Sequence, residues 1–168
     1  MKLIINRIYS LVGIYTKILI KVVLNYMINS LSVILPLYNE EIRLKKTFSQ
    51  IIKFIRESKI RSKEFIFVDD GSIDNSCDLI KRFIEKNKNL KKTKFKLIKL
   101  QKNLGKGGAL KKGIKSSTNQ WILTSDIDFS VSLFELENWQ KKKYISNSND
   151  VYFGSRSHNS SNVNFETL

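Results

Sequence analysis

Residues 65–76 read FIFVDDGSIDNS, four apolar residues running straight into two adjacent aspartates, a glycine and a serine. The apolar run is short and partly β-branched and aromatic, the composition of a strand covered on both faces. Asp-Gly is ordinary turn chemistry. A paired negative charge at the tip of a buried strand also suits a second purpose, receiving a ligand.

The same grammar repeats on either side. LSVIL (31–35) is a second apolar strand, ended by Pro36 and the loop PLYNEE. From Ile42 to about Glu57, Leu44, Phe48, Ile51, Ile52 and Ile55 recur at helical spacing, with Arg43, Lys45, Lys46 and Lys53 turned outward. After the DDGS tip, Ser72 or Asn75 is placed to cap a helix running to about Lys86. FKLIKL (95–100) predicts another strand, and NLGKGGA leads into a short helix with Ala109, Leu110 and Ile114. WILT (121–124) is a fourth strand ending in SDID, a helix starts near Ser132, and VYFGS (151–155) is a fifth strand. Strands that alternate with helices imply right-handed crossovers and a mainly parallel α/β sheet flanked by helices.

In such a sheet ligands bind outside the carboxyl ends of the strands. Those ends carry PLYNEE, DDGS, NLGKGGA and SDID, which converge on one rim. Asp126 and Asp128 form Asp-x-Asp directly after a strand. Two carboxylates are what Mg²⁺ or Mn²⁺ takes from a protein while substrate phosphates and water fill its remaining positions. Such an ion neutralises a diphosphate leaving group. Asp69 and Asp70 are suited to a second metal, or to hydrogen bonds from a nucleoside's base or ribose. Tyr38 is placed to stack on the base, and Asn39 and Glu40 add hydrogen-bonding groups. Gly105-Lys106-Gly107-Gly108 is neither a Walker motif nor a dinucleotide fingerprint. Its glycines still admit close backbone approach at a helix N-terminus, with Lys106 near phosphate or sugar.

Lys and Arg number 30 against 15 Asp and Glu, a net charge of +15. This suits nucleic acid, an anionic membrane or a phosphorylated substrate, or reflects a Lys-, Asn- and Ile-rich composition. No nucleic-acid-binding module or aromatic platform accompanies it, so nucleic acid is not an expected partner. The single cysteine, Cys77, excludes an internal disulfide and falls in the apolar pattern of a helix. The lone histidine, His158, has no partners at triad or zinc spacing and reads as a loop residue. Residues 1–29 are mostly apolar. Lys17 and Lys21 share one helix face, opposite Leu11, Ile14, Ile18 and Val22. This is the pattern of an amphipathic membrane-surface helix. A true span, or translation beginning at Met27, are the other readings.

Taken in order, SVILPLYNEE, FIFVDDGSIDNS, NLGKGGALKKGI, WILTSDIDFS and YFGSR resemble the family-2 glycosyltransferases of the GT-A fold. They are most similar to the dolichyl-phosphate β-glucosyltransferase branch and its bacterial polyprenyl-phosphate relatives. The resemblance implies a GT-A domain over 30–168, behind a membrane-associating helix at 1–29. It implies metal-dependent, inverting transfer of a hexose from a nucleotide sugar, UDP-glucose, to dolichyl or polyprenyl phosphate. The enzyme would act at the cytoplasmic face of a membrane. Pro36, Tyr38 and Glu40 would line the nucleoside pocket, and Asp70 would contact base or ribose. Asp126 and Asp128 would flank metal and diphosphate, with Arg156 near the donor or acceptor phosphate. Members of the family continue well beyond GSR, so a chain ending twelve residues after Arg156 is expected to be incomplete at its C-terminus. The alternatives are a family-2 enzyme acting on a glycan or lipopolysaccharide, and a non-catalytic remnant that binds nucleotide sugar.

Overall fold

A computed structural model of the 168-residue chain describes residues 28–145, 151, 152 and 154. The expectations for the 1–29 helix, Arg156 and His158 fall outside them, apart from residues 28 and 29. The chain forms two compact units, one of residues 27–138 and one of 1–26 with 139–168. The elements that follow belong to the first, except that the last helix runs past its end.

Four parallel strands, β1 (Ser30–Leu37), β2 (Ser62–Asp69), β3 (Thr93–Lys99) and β4 (Trp121–Thr124), form a sheet in the order β3-β2-β1-β4. The connections are α1 (Glu41–Glu57), α2 (Ser76–Asn87) and α3 (Gly105–Ser116), and α4 (Glu135–Lys141) follows β4. Of the expected fifth strand at 151–155, the described residues Val151, Tyr152 and Gly154 are irregular, and 153 and 155 lie outside the described residues.

β1 runs two residues beyond its expected end, through Pro36. The hydrogen bonds explain why proline is tolerated in a central strand. Ser125 donates its N–H to Ile34 O on the β4 side, and Asp70 donates to Leu37 O on the β2 side. Alternation turns the nitrogen of Pro36 toward β4, which has already ended at Thr124, so no ladder bond is lost.

The two faces of the sheet are covered by different chemistry. Phe65 and Phe67 project toward α1 and α2, where Phe48 stacks on Phe83 at 4.1 Å between centroids and Phe54 meets Phe65 edge-on. Cys77 is buried in α2, as its helical spacing indicated. On the other face α3 lies against Ile34, Ile66 and Val68. Gly113 permits this approach, because a Cβ there would stand 2.3 Å from Ile34 Cγ2 and 3.0 Å from Val68 Cγ2.

Glu64 is a charged group fully buried on the α3 face of β2. Ser32 Oγ donates to it at 2.6 Å, Thr118 N at 2.9 Å and Thr118 Oγ1 at 3.2 Å, and Lys96 Nζ lies 2.8 Å away. Lys96 also donates to Ser116 O at the last residue of α3. Burial pushes the Glu64 carboxyl up, but the hydrogen bonds from Lys96, Ser32 and Thr118 outweigh it and hold the group below its ordinary range. The network ties the α3–β4 connection to β1, β2 and β3, at the end of the sheet opposite the loops described next.

Candidate active site

The rim at the carboxyl ends of the strands is laced by its own polar side chains. Asn39 N donates to Ser72 Oγ at 2.9 Å, Glu40 N to Ser76 Oγ at 2.9 Å, and Glu41 N to Asp74 Oδ2 at 3.1 Å. Ile73 N returns to Asn39 Oδ1 at 2.9 Å. Asn39 adopts φ 55°, which asparagine tolerates better than most residues. The serines and Asp74 of DDGSIDNS therefore join the first strand's loop to the second's. Neither Ser72 nor Asn75 caps α2 with its side chain. Ser72 is taken up by Asn39, and the Asn75 amide by Glu41.

The paired aspartates divide their work. Asp69 is fully buried and accepts from Ser72 N at 2.8 Å, closing the turn at Gly71, whose φ is +83°. Asp70 faces the other way and accepts from Leu104 N at 2.8 Å, fixing the loop that opens α3. Only Asp70 of the two reaches the cavity wall.

That cavity has a volume of about 390 Å³ and lies within the unit of residues 27–138. Of the residues singled out in the sequence, Pro36, Tyr38, Glu40, Asp70, Lys106, Asp126 and Asp128 line it. Asp69 does not, and Arg156 lies outside the described residues.

The Asp-x-Asp turn is held from beneath. Ile127 is buried, and its carbonyl accepts from Thr47 Oγ1 of α1 at 2.6 Å. With the middle residue anchored inward, Asp126 and Asp128 are both turned out, exposed, onto the cavity wall. Phe129, buried at φ 48°, reverses the chain immediately afterward, a costly conformation for a bulky residue. Asp128 Oδ1 accepts from Ser130 N at 3.0 Å.

Two cations face these carboxylates. Lys106 Nζ lies 2.5 Å from Asp126 Oδ1. Arg43, in the first turn of α1, pairs with Glu40 at 2.7 Å. The Glu40 hydrogen bond and charge, joined by the charge of Asp128, hold the guanidinium above its ordinary value. Arg43 and Asn103 line the cavity and went unmarked in the sequence. Arg43 reads there as the outward face of an amphipathic helix, yet it lies one turn from PLYNEE, and a helix's first turn stays at the rim from which it starts. Asn103 accepts from Gly105 N at 2.9 Å, a local turn bond.

The donor set fits a divalent cation that shares its coordination with a ligand. Asp126 already attracts a positive charge, and Asp128 stands beside it on the same wall. Among the described residues no group of three or more His, Cys, Asp or Glu forms a self-sufficient metal cage. Mg²⁺ and Mn²⁺ accept that arrangement when phosphate oxygens complete the shell. Among the described residues, no helix is long and apolar enough to cross a membrane.

Residues 32–168 match the model of the family "Glycosyl transferase family 2". The chain is 37% identical over 134 residues to a dolichyl-phosphate β-glucosyltransferase of Dictyostelium discoideum, covering 76% of this chain and 40% of that protein. It is 35% identical over 115 residues to the human enzyme of the same name, covering 66% and 35%. It thus spans about two fifths or less of these relatives. Among solved structures it is similar to mannosyltransferase PcManGT from Pyrobaculum calidifontis in complex with GDP-Man and Mn²⁺. There the TM-score is 0.51 and the identity 24%, over 58% of this chain and 27% of that one. It is also similar to Staphylococcus aureus TarS 1–349, with TM-score 0.52, 24% identity, and 65% and 30% coverage. These two likenesses bear on the fold, and they agree with the GT-A expectation.

Proposed function

The chain belongs to glycosyl transferase family 2, and from that premise we propose that it transfers glucose from UDP-glucose to a polyprenyl or dolichyl phosphate, with inversion and with Mg²⁺ or Mn²⁺. The observation that carries this reading is the meeting of Tyr38, Asp70, Lys106, Asp126 and Asp128 in the lining of one cavity at the strand ends. Tyr38, 46% exposed at the mouth, offers a ring to the base. Asp70, held by Leu104 N through Oδ1, offers its other oxygen to base or ribose. Asp126 and Asp128 would hold the metal, which when bound would offset the charge of the departing diphosphate. Arg43 and Lys106 add cationic groups to the same lining.

The acceptor decides how much more the protein must do. A sugar hydroxyl needs a general base. A polyprenyl phosphate has a second pKa of about 6 and is already an oxyanion at neutral pH. Its oxygen attacks the anomeric carbon as the bond to the diphosphate breaks on the opposite side, so UDP leaves and the configuration inverts. The residues here need only position two anions and screen their charge. In this reading the apolar, basic residues 1–29 and the excess of Lys and Arg hold the enzyme at the cytoplasmic surface of a membrane, where the lipid acceptor lies.

The test is incubation of the 168-residue chain with radiolabelled UDP-glucose and polyprenyl phosphate, with and without Mn²⁺. Label passing into the organic phase only with metal is the expected result. Metal-dependent UDP binding without lipid labelling would remove the lipid acceptor and leave a donor-binding unit.

A further inference from the structure

The donor reading leaves one feature unexplained: the divalent-ion site already has a cation on it. Lys106 Nζ sits 2.5 Å from Asp126 Oδ1, with side chains 64% and 51% exposed. We propose that Lys106 is a resident counter-ion which a divalent cation must displace from Asp126, so that the metal enters together with a diphosphate and poorly by itself. This rests on the metal-and-donor reading given above.

The placement of Lys106 argues for exchange rather than for a permanent bridge. It is the second residue of α3, in a first turn that holds no acidic side chain and has no side-chain cap from Leu104. A cation at a helix N-terminus is opposed by the helix dipole. Asp126, arriving from β4, supplies one negative charge there, and Asp70, on Leu104 N, stands at the same helix start. A diphosphate supplies more charge and several acceptor oxygens, for the ammonium and for the amides of the turn. It therefore competes well for Lys106, and its arrival frees Asp126 for the metal. Without it, a dication approaching Asp126 meets an ammonium already seated. Repulsion between such charges about 5 Å apart, in water and at physiological salt, weakens metal binding by about three- to tenfold. The pair is exposed, so its own strength adds no more than about fivefold to this barrier. Among the described residues no lysine pairs with Asp128, which feels the charge of Arg43 and whose Oδ1 is engaged by Ser130 N.

The experiment is a Mn²⁺ titration of the full chain, with unbound Mn²⁺ read by electron paramagnetic resonance, in the absence and presence of UDP. Four proteins are compared: wild type, Lys106→Met, Lys106→Arg and Asp126→Asn, each checked for an unchanged thermal melt. Lys106→Met is expected to bind Mn²⁺ alone more tightly than wild type by at least about threefold and at most about fiftyfold, and Lys106→Arg to show no gain. UDP should tighten Mn²⁺ binding more in wild type than in Lys106→Met. If Lys106→Met binds Mn²⁺ no better than wild type while Asp126→Asn loses it, the metal site stands and the counter-ion proposal is overturned. If Asp126→Asn binds Mn²⁺ like wild type, the metal reading fails and the proposal fails with it.

Discussion

Replacing Glu64 with alanine removes a buried charge far from the cavity but tied to its scaffold. Four contacts disappear: those from Ser32 Oγ, Thr118 N and Thr118 Oγ1, and the ion pair with Lys96. The Ser32 hydroxyl and the Thr118 amide lose a strong acceptor, at about 1–3 kcal/mol each. The Lys96 side chain is 34% exposed, so its lost ion pair is screened by water and adds little. The expected loss is about 2–6 kcal/mol, from a domain stability of about 5–15 kcal/mol. Urea unfolding followed by circular dichroism measures it. Glu64→Gln keeps the shape and part of the bonding and should cost about 1–2 kcal/mol. The pH dependence follows from the direction of the shift. The folded pKa lies below the unfolded one, so the carboxylate's stabilisation is complete above the unfolded value of about 4.3. It is lost as pH falls through the folded value. Wild type and Glu64→Gln should therefore converge in stability as pH drops below about 4. A Glu64→Ala protein within about 1 kcal/mol of wild type at pH 7 would refute the reasoning, because it would mean the network contributes no more than an ordinary surface contact.

Other outcomes follow from the same structure. Gly113→Val places a methyl-bearing carbon where Ile34 Cγ2 is 2.3 Å away, and should destabilise the domain by about 2 kcal/mol in thermal melts, after a small gain in helix propensity. Asp128→Ala, at an exposed position, should remove metal-dependent UDP binding in titration calorimetry while leaving the melting temperature within about 2 °C. Deleting residues 1–27 should release the protein from anionic vesicles in a sedimentation assay; continued co-sedimentation would place the membrane contact elsewhere.

Much of the fold was legible because the sheet is parallel and its strands are short apolar runs between polar loops. Each loop then marks a strand end, and the ends of parallel strands share one rim. Alternation could have gone further. Phe65, Phe67 and Asp69 occupy one side of β2 and Ile66, Val68 and Asp70 the other, so carrying the two-residue period past Val68 separates the buried aspartate from the one at the cavity. The rest depended on contacts that no local pattern encodes. Thr47 reaches the carbonyl of Ile127 across 80 residues of sequence. Ser72, Asp74 and Ser76 lace a loop whose proximity only the β1–β2 pairing establishes. Arg43 faces the cavity because α1 starts at the rim, which helical spacing alone, scoring it as exposed, does not reveal.

Co-crystallisation of the chain with UDP and Mn²⁺, with anomalous scattering used to locate the metal, addresses the site most directly. The manganese peak should lie within about 2.5 Å of a carboxylate oxygen of Asp126 or Asp128, bridging to the diphosphate, with the uridine between Tyr38 and Asp70. A metal bound away from Asp126 and Asp128, or UDP bound outside this cavity, would contradict the assignment.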